Sequence, residues 1–338
     1  MGSRYKSVFL SVLLGCAFWG LSAQYRPDIL GEGFEQRTIE MPDDYAGRVV
    51  TTLVRFAPSD SVCRAVLYVH GYNDYFFQSQ MAHLFRDSLF NFYAVDLRKY
   101  GRSILEGQTP FEVHSLDEYF ADIDTALQII KEEGNDEIVL MGHSTGGLIT
   151  SLYCQHRKEN LPVQGLILNS PFLDMNLSWF QESVLVPAVS AIALLFKGIP
   201  ISQSESTAYA ESLLKDKHGE WEYDTSKKMV QSPAVTSGWI RAIHRAQVEV
   251  QEGLQIPCPV LVMFSDKSEY GTVWSPDHQQ ADAVLDVADI ETYGKGLGAD
   301  VTQVQVKDGL HDLVLSRKDV RKFVYRTIFS WLHDHGLD

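Results

Sequence analysis

The sequence predicts an α/β fold in which helices flank a mostly parallel, eight-stranded sheet. Short apolar runs of strand length alternate with amphipathic helical stretches, which is the pattern of βαβ units. This alternation stops after residue 171 and resumes near residue 251. We therefore expect a core made of residues 24–171 and 251–338, with a helical cap, residues 172–250, inserted after the sixth strand.

The predicted elements follow from the spacing of apolar residues along the chain. The strands are Phe34–Met41, which we expect to be antiparallel, and then Arg48–Phe56, Arg64–His70, Phe92–Leu97, Glu137–Gly142, Val163–Asn169, Val260–Phe264 and Val301–Lys307. The helices outside the cap are Gln78–Leu89, Leu116–Glu133, Gly147–His156 and Arg317–Trp331. On the last helix, one face carries Val320, Phe323, Val324, Ile328 and Trp331, as expected for packing on a sheet.

The charge balance argues against nucleic acid as a partner. The 338-residue chain has a formal net charge of −15 and no stripe of clustered Lys and Arg, which phosphate backbones require. No H-E-x-x-H motif, P-loop or dinucleotide fingerprint occurs, so we predict no metal and no other cofactor. Cys63, Cys154 and Cys258 lack the spacing of a disulfide framework or a zinc site.

Residues 1–23 have the features of a signal peptide. Two cations precede the uncharged apolar run Val8–Leu21, and Ala23 offers a small residue at a cleavage point before Gln24. We expect export to the periplasm or out of the cell, with no transmembrane segment after cleavage. The alternative is a lipoprotein anchored at Cys16, but the apolar run continues beyond that cysteine.

The predicted cap contains one apolar run, Val184–Phe196, which Pro187 interrupts. At thirteen residues the run is too short to span a bilayer. It is either a buried helix or a lid whose apolar face covers a substrate pocket.

The run Gly142-His143-Ser144-Thr145-Gly146-Gly147 joins a predicted buried strand directly to a predicted helix. A turn this tight strains the backbone at Ser144 and exposes its hydroxyl above the sheet, and side chains at positions 142 and 146 would collide with neighbouring elements. This strand-turn-helix context predicts a nucleophilic serine and the α/β-hydrolase fold.

A serine nucleophile requires backbone donors that stabilise the oxyanion formed in the reaction. We predict one donor in the N–H of Thr145, at the start of the helix after the nucleophile, and the other in the N–H of Tyr72, in the loop after an earlier strand. His70, at the end of that strand, is more consistent with a structural role in orienting the loop.

The general base and its acid must follow the nucleophile in this fold. Among the later histidines, His311 lies in a loop after a late strand, so we predict it to be the base. A helix, a strand and short loops between acid and base take about 26–30 residues. Asp282 precedes His311 by 29 residues and fits best, while Asp266 at 45 and Asp286 at 25 remain alternatives.

These residues resemble the monoacylglycerol lipase and lysophospholipase branch of the α/β-hydrolases, often described as serine aminopeptidase-like. The resemblance rests on His70-Gly71, the turn around Ser144, Asp96–Ser103 and Gly309-Leu310-His311-Asp312, although Lys99 and Tyr100 stand where the family has Gly and His. It implies that Asp282 is the acid, because Ala281–Val284 is similar to the family's acid loop. Bacterial relatives share the cap runs Tyr209–Leu213 and Gly238–Ala242.

We expect a secreted serine hydrolase that cleaves a carboxylic ester through an acyl-enzyme. The apolar cap and the resemblance favour a small lipid ester such as a monoacylglycerol or a lysophospholipid. The first alternative is a peptidase or amidase, in which Glu211, Glu220 or Glu222 would bind a substrate α-amine. The second is a non-catalytic binding protein on the same fold.

Overall fold

The computed structural model describes residues 24–176, 181, 185–202 and 206–338, so the predicted signal peptide, residues 1–23, lies outside the described part of the chain. The strands are β1 (Arg26–Pro27), β2 (Phe34–Asp44), β3 (Gly47–Phe56), β4 (Arg64–Val69), β5 (Asn91–Asp96), β6 (Glu137–His143), β7 (Gly165–Asn169), β8 (Pro200–Ile201), β9 (Val235–Thr236), β10 (Val260–Ser265) and β11 (Val301–Val306). The α-helices are α1 (Ser79–Asp87), α2 (Phe120–Glu132), α3 (Thr145–His156), α4 (Val186–Ile192), α5 (Ala208–Leu213), α6 (Ser237–Gln251), α7 (Val287–Gly294) and α8 (Lys318–Asp334).

The main sheet has nine strands in the order β1-β2-β3-β5-β4-β6-β7-β10-β11. The pairs β1–β2, β2–β3 and β3–β5 are antiparallel, whereas β5, β4, β6, β7, β10 and β11 run parallel to one another. The predicted α/β fold with a mostly parallel sheet is therefore confirmed. The two-residue β1 is a ninth strand that the sequence did not indicate, and β8 and β9 form a separate antiparallel pair.

Both faces of the parallel strands β5, β4, β6, β7 and β10 are buried beneath helices, whereas the edge strand β11 is only partly buried. Alternate side chains of β4 enter different cores: Leu67 belongs to the core with α2, α3 and α6, and Val66 to the core with α1 and α8. The carboxyl ends of parallel strands meet at one edge of the sheet, so the loops that follow β4, β6, β10 and β11 converge there.

Two predicted helices differ in detail from the structure. The stretch Leu116–Glu133 begins as a 3₁₀ turn over Leu116–Tyr119 before α2. Phe323, predicted on the packed face of the last helix, is 41% exposed, while Val320 and Val324 are buried. The buried stripe of α8 runs through Val324 and Trp331, and Phe323 lies about a quarter of a turn away from it.

The apolar run of the predicted cap is not a buried helix over its whole length. Val186 and Ala193 are buried, but Leu194, Leu195 and Phe196 are 60%, 82% and 61% exposed. Val184, the first residue of the run, lies outside the described residues. No helix within the described ranges is long and apolar enough to cross a membrane.

The loop after β5 is held by buried ion pairs. Arg102 Nε lies 2.7 Å from Asp28 Oδ2, and Arg102 Nη1 lies 2.9 Å from Asp96 Oδ2. The other oxygen of Asp96 accepts the backbone N–H of Phe76 at 2.9 Å. Asp96 therefore joins the first described residues, the loop after β5 and the loop after β4.

Asp96→Ala should lower the free energy of unfolding by about 3–5 kcal/mol, because it leaves the buried Arg102 guanidinium without one of its two carboxylates. The matched control is Glu40→Ala, which breaks the exposed pair with Arg48 and should change the free energy of unfolding little, because solvent screens that pair. Urea unfolding of the two variants measures the difference. Equal losses in both variants would contradict the assignment of Asp96 as a structural centre.

Candidate active site

Ser144 lies at the turn between β6 and α3, with φ 53° and ψ −120°. Residues other than glycine rarely adopt this region, so the surrounding structure must hold the turn in place. A Cβ on Gly142 would lie 2.6 Å from the carbonyl oxygen of Gly146, and a Cβ on Gly146 would collide with the carbonyl oxygens of Val69 and His70. Glycine at both positions therefore permits the close packing of β4, β6 and α3 that presents the serine.

The structure brings Ser144, His311 and Asp282 together. His311 Nε2 lies 3.0 Å from Ser144 Oγ, and His311 Nδ1 lies 2.8 Å from Asp282 Oδ2. All three residues are buried. A carboxylate can only accept, so Nδ1–H donates to Asp282, and Nε2 of the neutral ring is left as the acceptor for the serine hydroxyl.

The three candidate acids have different surroundings. The Oδ1 atom of Asp282 accepts the N–H groups of Val284 and Leu285 at 2.9 and 2.8 Å, which fixes the carboxylate towards His311. Asp266 is exposed and accepts the N–H of Asp308, and Asp286 caps α7 by accepting the N–H of Ala288. The geometry therefore favours Asp282 over the two alternatives.

The loop between β4 and α1, residues 70–78, lies against the nucleophile. A Cβ on Gly71 would be 3.0 Å from the Cβ of Ser144. Thr145 is the first residue of α3, so its N–H is one of the helix N-terminal donors that have no intrahelical partner. Tyr72 directly follows Gly71, and its ring centroid lies 5.0 Å from that of Trp239. Both predicted oxyanion donors thus belong to residues beside Ser144 or beside its neighbour Gly71.

His70 is engaged with backbone groups. Its Nε2 accepts the N–H of Leu97 at 3.1 Å, and its Nδ1 donates to the carbonyl of Gly71 at 2.8 Å. Burial lowers the pKa of His70, which agrees with a neutral ring in this arrangement. The contacts support a structural role in which His70 connects the loop after β4 to the loop after β5.

Sequence reasoning missed two buried groups that support the base. The Asp312 carboxylate accepts from Asn169 Nδ2 at 2.7 Å and from Gln78 Nε2 at 3.1 Å. Asn169 Oδ1 in turn accepts the N–H of Leu313 at 3.1 Å. These bonds attach the chain just after His311 to the ends of β7 and of the β4–α1 loop. Nothing local in the sequence distinguishes Asn169 from an ordinary strand end.

Within the described ranges, the one group of three or more residues whose metal-type ligand atoms lie within 4.8 Å of one another is Asp74, His143 and Asp312. The two carboxylates of this group, however, already contact other protein side chains. Lys228 Nζ lies 3.0 Å from Asp74 Oδ1, and the Asp312 oxygens accept from two amides. An ammonium group therefore occupies the position at which a cation would compensate Asp74, and the cluster is better described as a buried polar network.

The cap runs noted in the sequence contribute side chains close to the site. Tyr209, in α5, packs edge-to-face on His311 with ring centroids 5.6 Å apart. Burial raises the pKa of Tyr209, so its hydroxyl stays protonated. Trp239, in α6, packs against Tyr72. The two runs therefore contact the base and the predicted oxyanion loop, which composition alone could not show.

A family model described as "Serine aminopeptidase, S33" matches residues 60–315, and this range contains all three residues of the Ser144 site. The chain belongs to this family. This confirms the resemblance to the serine aminopeptidase-like branch of the α/β-hydrolases. The matched range begins just before β4 and ends just after His311. No curated protein sequence matches the chain.

Similar solved structures share the α/β-hydrolase fold. A monoglyceride lipase from Saccharomyces cerevisiae has a TM-score of 0.64 at 17% identity, over 93% of this chain and 98% of that chain. A monoacylglycerol lipase from Paleococcus ferrophilus has a TM-score of 0.58 at 18% identity, over 80% of this chain and 94% of that chain. Est1E from Butyrivibrio proteoclasticus, bound to ferulic acid, has a TM-score of 0.52 at 15% identity, over 94% of this chain and 100% of that chain.

Asp282→Asn should lower kcat for a soluble ester by a factor on the order of 10⁴, because an amide donor disfavours the Nδ1–H tautomer that His311 needs. Asp266→Asn and Asp286→Asn are matched controls with the same change in charge, and both should retain nearly full kcat. Steady-state hydrolysis of p-nitrophenyl butyrate by the three variants provides the comparison. A large loss in either control, with Asp282→Asn active, would reassign the acid.

Proposed function

We propose that this protein is a serine hydrolase that cleaves carboxylic esters through an acyl-enzyme. The observation that carries the proposal is the continuous hydrogen-bonded line from Ser144 Oγ through the His311 ring to Asp282. Buried in this order, a hydroxyl, an imidazole and a carboxylate have the arrangement needed to activate a serine nucleophile. Membership of the hydrolase family and the lipase and esterase structures with the same fold support this chemistry.

The steps follow from the geometry. Ser144 Oγ attacks the ester carbonyl while His311 Nε2 takes the hydroxyl proton, and Asp282 stabilises the resulting imidazolium. The carbonyl oxygen becomes an oxyanion beside the N–H groups of Thr145 and Tyr72. His311 then gives the proton to the leaving alkoxide as the ester C–O bond breaks, so an alcohol departs and the acyl group remains on Ser144 Oγ. A water, deprotonated by the same nitrogen, attacks the acyl carbon. His311 returns the proton to Ser144 Oγ as the acyl–Oγ bond breaks and the carboxylic acid departs.

A lipid-type ester, such as a monoacylglycerol or a lysophospholipid, is the substrate class that the surface favours. Leu194, Leu195 and Phe196 present an exposed apolar stretch on the cap, and such stretches mark sites that receive apolar partners. The yeast and Paleococcus proteins with the same fold are monoacylglycerol lipases by description. Together these observations support an acyl chain as the main apolar part of the substrate.

The peptidase alternative requires a free carboxylate for a substrate α-amine, and the three candidates have partners. Glu220 pairs with Arg321 at 2.9 Å, and Glu222 pairs with Lys215 at 2.7 Å. Glu211 accepts the hydroxyl of Thr207. Their engagement favours ester over aminopeptide hydrolysis, and cleavage of aminoacyl p-nitroanilides compared with p-nitrophenyl esters distinguishes the two activities.

A fluorophosphonate probe should label the wild-type protein and fail to label Ser144→Ala, since only an activated serine hydroxyl attacks the phosphorus. Ester hydrolysis should fall by a factor on the order of 10⁶ in Ser144→Ala. Ser151→Ala is the control, because this buried hydroxyl in α3 donates to the carbonyl of Gly147 instead. Failure of the folded wild type to react would support the non-catalytic alternative.

The lipid-ester proposal predicts a preference for longer acyl chains that depends on the exposed apolar stretch. The double variant Leu195→Gln/Phe196→Gln should lower kcat/KM for p-nitrophenyl laurate about tenfold and leave the butyrate little changed, as expected for lost apolar contact. Ile29→Gln, at another exposed apolar side chain, is the control. No preference for laurate in the wild type would remove the basis for a long-chain substrate.

A further inference from the structure

The β4–α1 loop, which carries Tyr72, is bound at residues 72–75 by one segment of the cap, residues 224–233, here called the docking segment. Asn73 makes two hydrogen bonds to Met229: its Nδ2 donates to the carbonyl at 2.8 Å, and its Oδ1 accepts the N–H at 2.9 Å. Asn73 has φ 48°, so this pairing also stabilises a strained backbone.

The neighbouring loop residues make further contacts with the docking segment. The Tyr72 hydroxyl donates to the carbonyl of Pro233 at 3.2 Å, and the Tyr75 hydroxyl accepts the N–H of Asp224 at 2.9 Å. Asp74 pairs with Lys228 at 3.0 Å. All four consecutive residues from 72 to 75 therefore contact the cap through side-chain atoms, and these contacts do not involve the Tyr72 N–H.

The Asp74–Lys228 pair differs from the others because both charges are buried. Asp74 is 1% exposed and Lys228 is 6% exposed. Burial raises the pKa of Asp74, but the Lys228 ammonium and His143 outweigh it, and the net pKa lies well below its usual range. Asp74 is therefore ionised, and removing the Lys228 cation would leave a buried charge without its main compensation, which is strongly destabilising.

Apart from Lys228, the neighbour of Asp74 that can carry positive charge is His143. His143, whose Nδ1 is 3.6 Å from Asp74 Oδ2, directly precedes Ser144. The remaining titratable groups facing the carboxylate are neutral His70, the hydroxyls of Tyr68, Tyr75, Tyr209 and Tyr223, and the like-charged Asp312. Without Lys228, the buried Asp74 carboxylate keeps only His143 beside it as a group able to carry positive charge, which favours a shift of the loop towards water. Tyr72 lies two residues away.

We propose that Lys228 is a positioning residue: by neutralising Asp74 from the docking segment, it holds the β4–α1 loop in the geometry that aims the Tyr72 N–H at the oxyanion. The inference rests on the proposed serine-hydrolase function. It assigns the cap a role in completing the catalytic site as well as in receiving substrate. An oxyanion donor displaced by about 1 Å loses much of its effect, since such misplacements cost up to about 10²-fold in rate.

The test measures hydrolysis of p-nitrophenyl butyrate by the full-length protein and by variants that change the charges of the Asp74–Lys228 pair. Lys228→Met, which keeps the length of the side chain but removes the charge, should lower kcat by a factor on the order of 10–100 and change KM little, because the oxyanion exists only after attack. The double variant Lys228→Met/Asp74→Asn should recover kcat to within about threefold of the wild type, since no buried charge remains to displace the loop. Lys215→Met, at an exposed cap lysine, is the control and should leave kcat unchanged.

The double variant also keeps the test decisive if Lys228→Met does not fold. A folded double variant whose kcat lies about 10–100-fold below that of the wild type would overturn the proposal. A folded Lys228→Met variant with the kcat of the wild type would overturn it as well. Fluorophosphonate labelling separates this inference from the function on which it rests. If the wild type is not labelled, the proposed function fails, whereas labelling of the wild type with no effect of the Lys228 charge refutes the positioning role alone.

Discussion

The close approach of the nucleophile turn to β4 is the constraint on which the rest of the site depends. Gly146 packs against the carbonyl groups at the end of β4, where a side chain has no room. The same approach places Gly71 beside Ser144, so the loop that carries the predicted oxyanion donor cannot be distant from the nucleophile. One contact between neighbouring parallel strands thus fixes both the position of Ser144 and the position of the loop that carries Tyr72. It requires the strained backbone conformation of Ser144, whose φ is 53°.

The features that the sequence predicted well depend on local signals. The strand before Ser144 was identified from a continuous apolar run, and the structure ends it at His143, one residue beyond the predicted end. In the loop after β5, Lys99 stands where the family has a glycine, and it adopts the left-handed φ of 61° that such a turn requires. Its ammonium group pairs with Asp44 at 2.7 Å. A buried ion pair here compensates for a conformation that glycine adopts without strain.

The features that the sequence could not predict depend on partners far apart in the chain. Lys228 ends a polar run and resembles a surface lysine, and only the folded structure shows it buried against Asp74, 154 positions earlier. The choice among three aspartates rested on loop lengths, whereas the structure distinguishes them by the direction of one carboxylate. Tyr209 was noted within a cap run without any role, since edge-to-face packing on His311 has no local sequence signal.

The exposed apolar stretch and the docking segment are parts of one hydrogen-bonded unit. The Ser237 hydroxyl donates to the carbonyl of Phe196 at 2.5 Å, and the N–H of Gly238 donates to the carbonyl of Lys197 at 2.8 Å. The pairing of β8 with β9 continues this connection to Val235, two residues beyond the docking segment. These bonds attach the apolar stretch to residues 235–238, which directly follow the segment that contacts Asn73 and Asp74. In this architecture, one continuous stretch of the cap, residues 224–238, hydrogen-bonds at one end to the loop suited to an oxyanion and at the other end to the surface suited to an acyl chain.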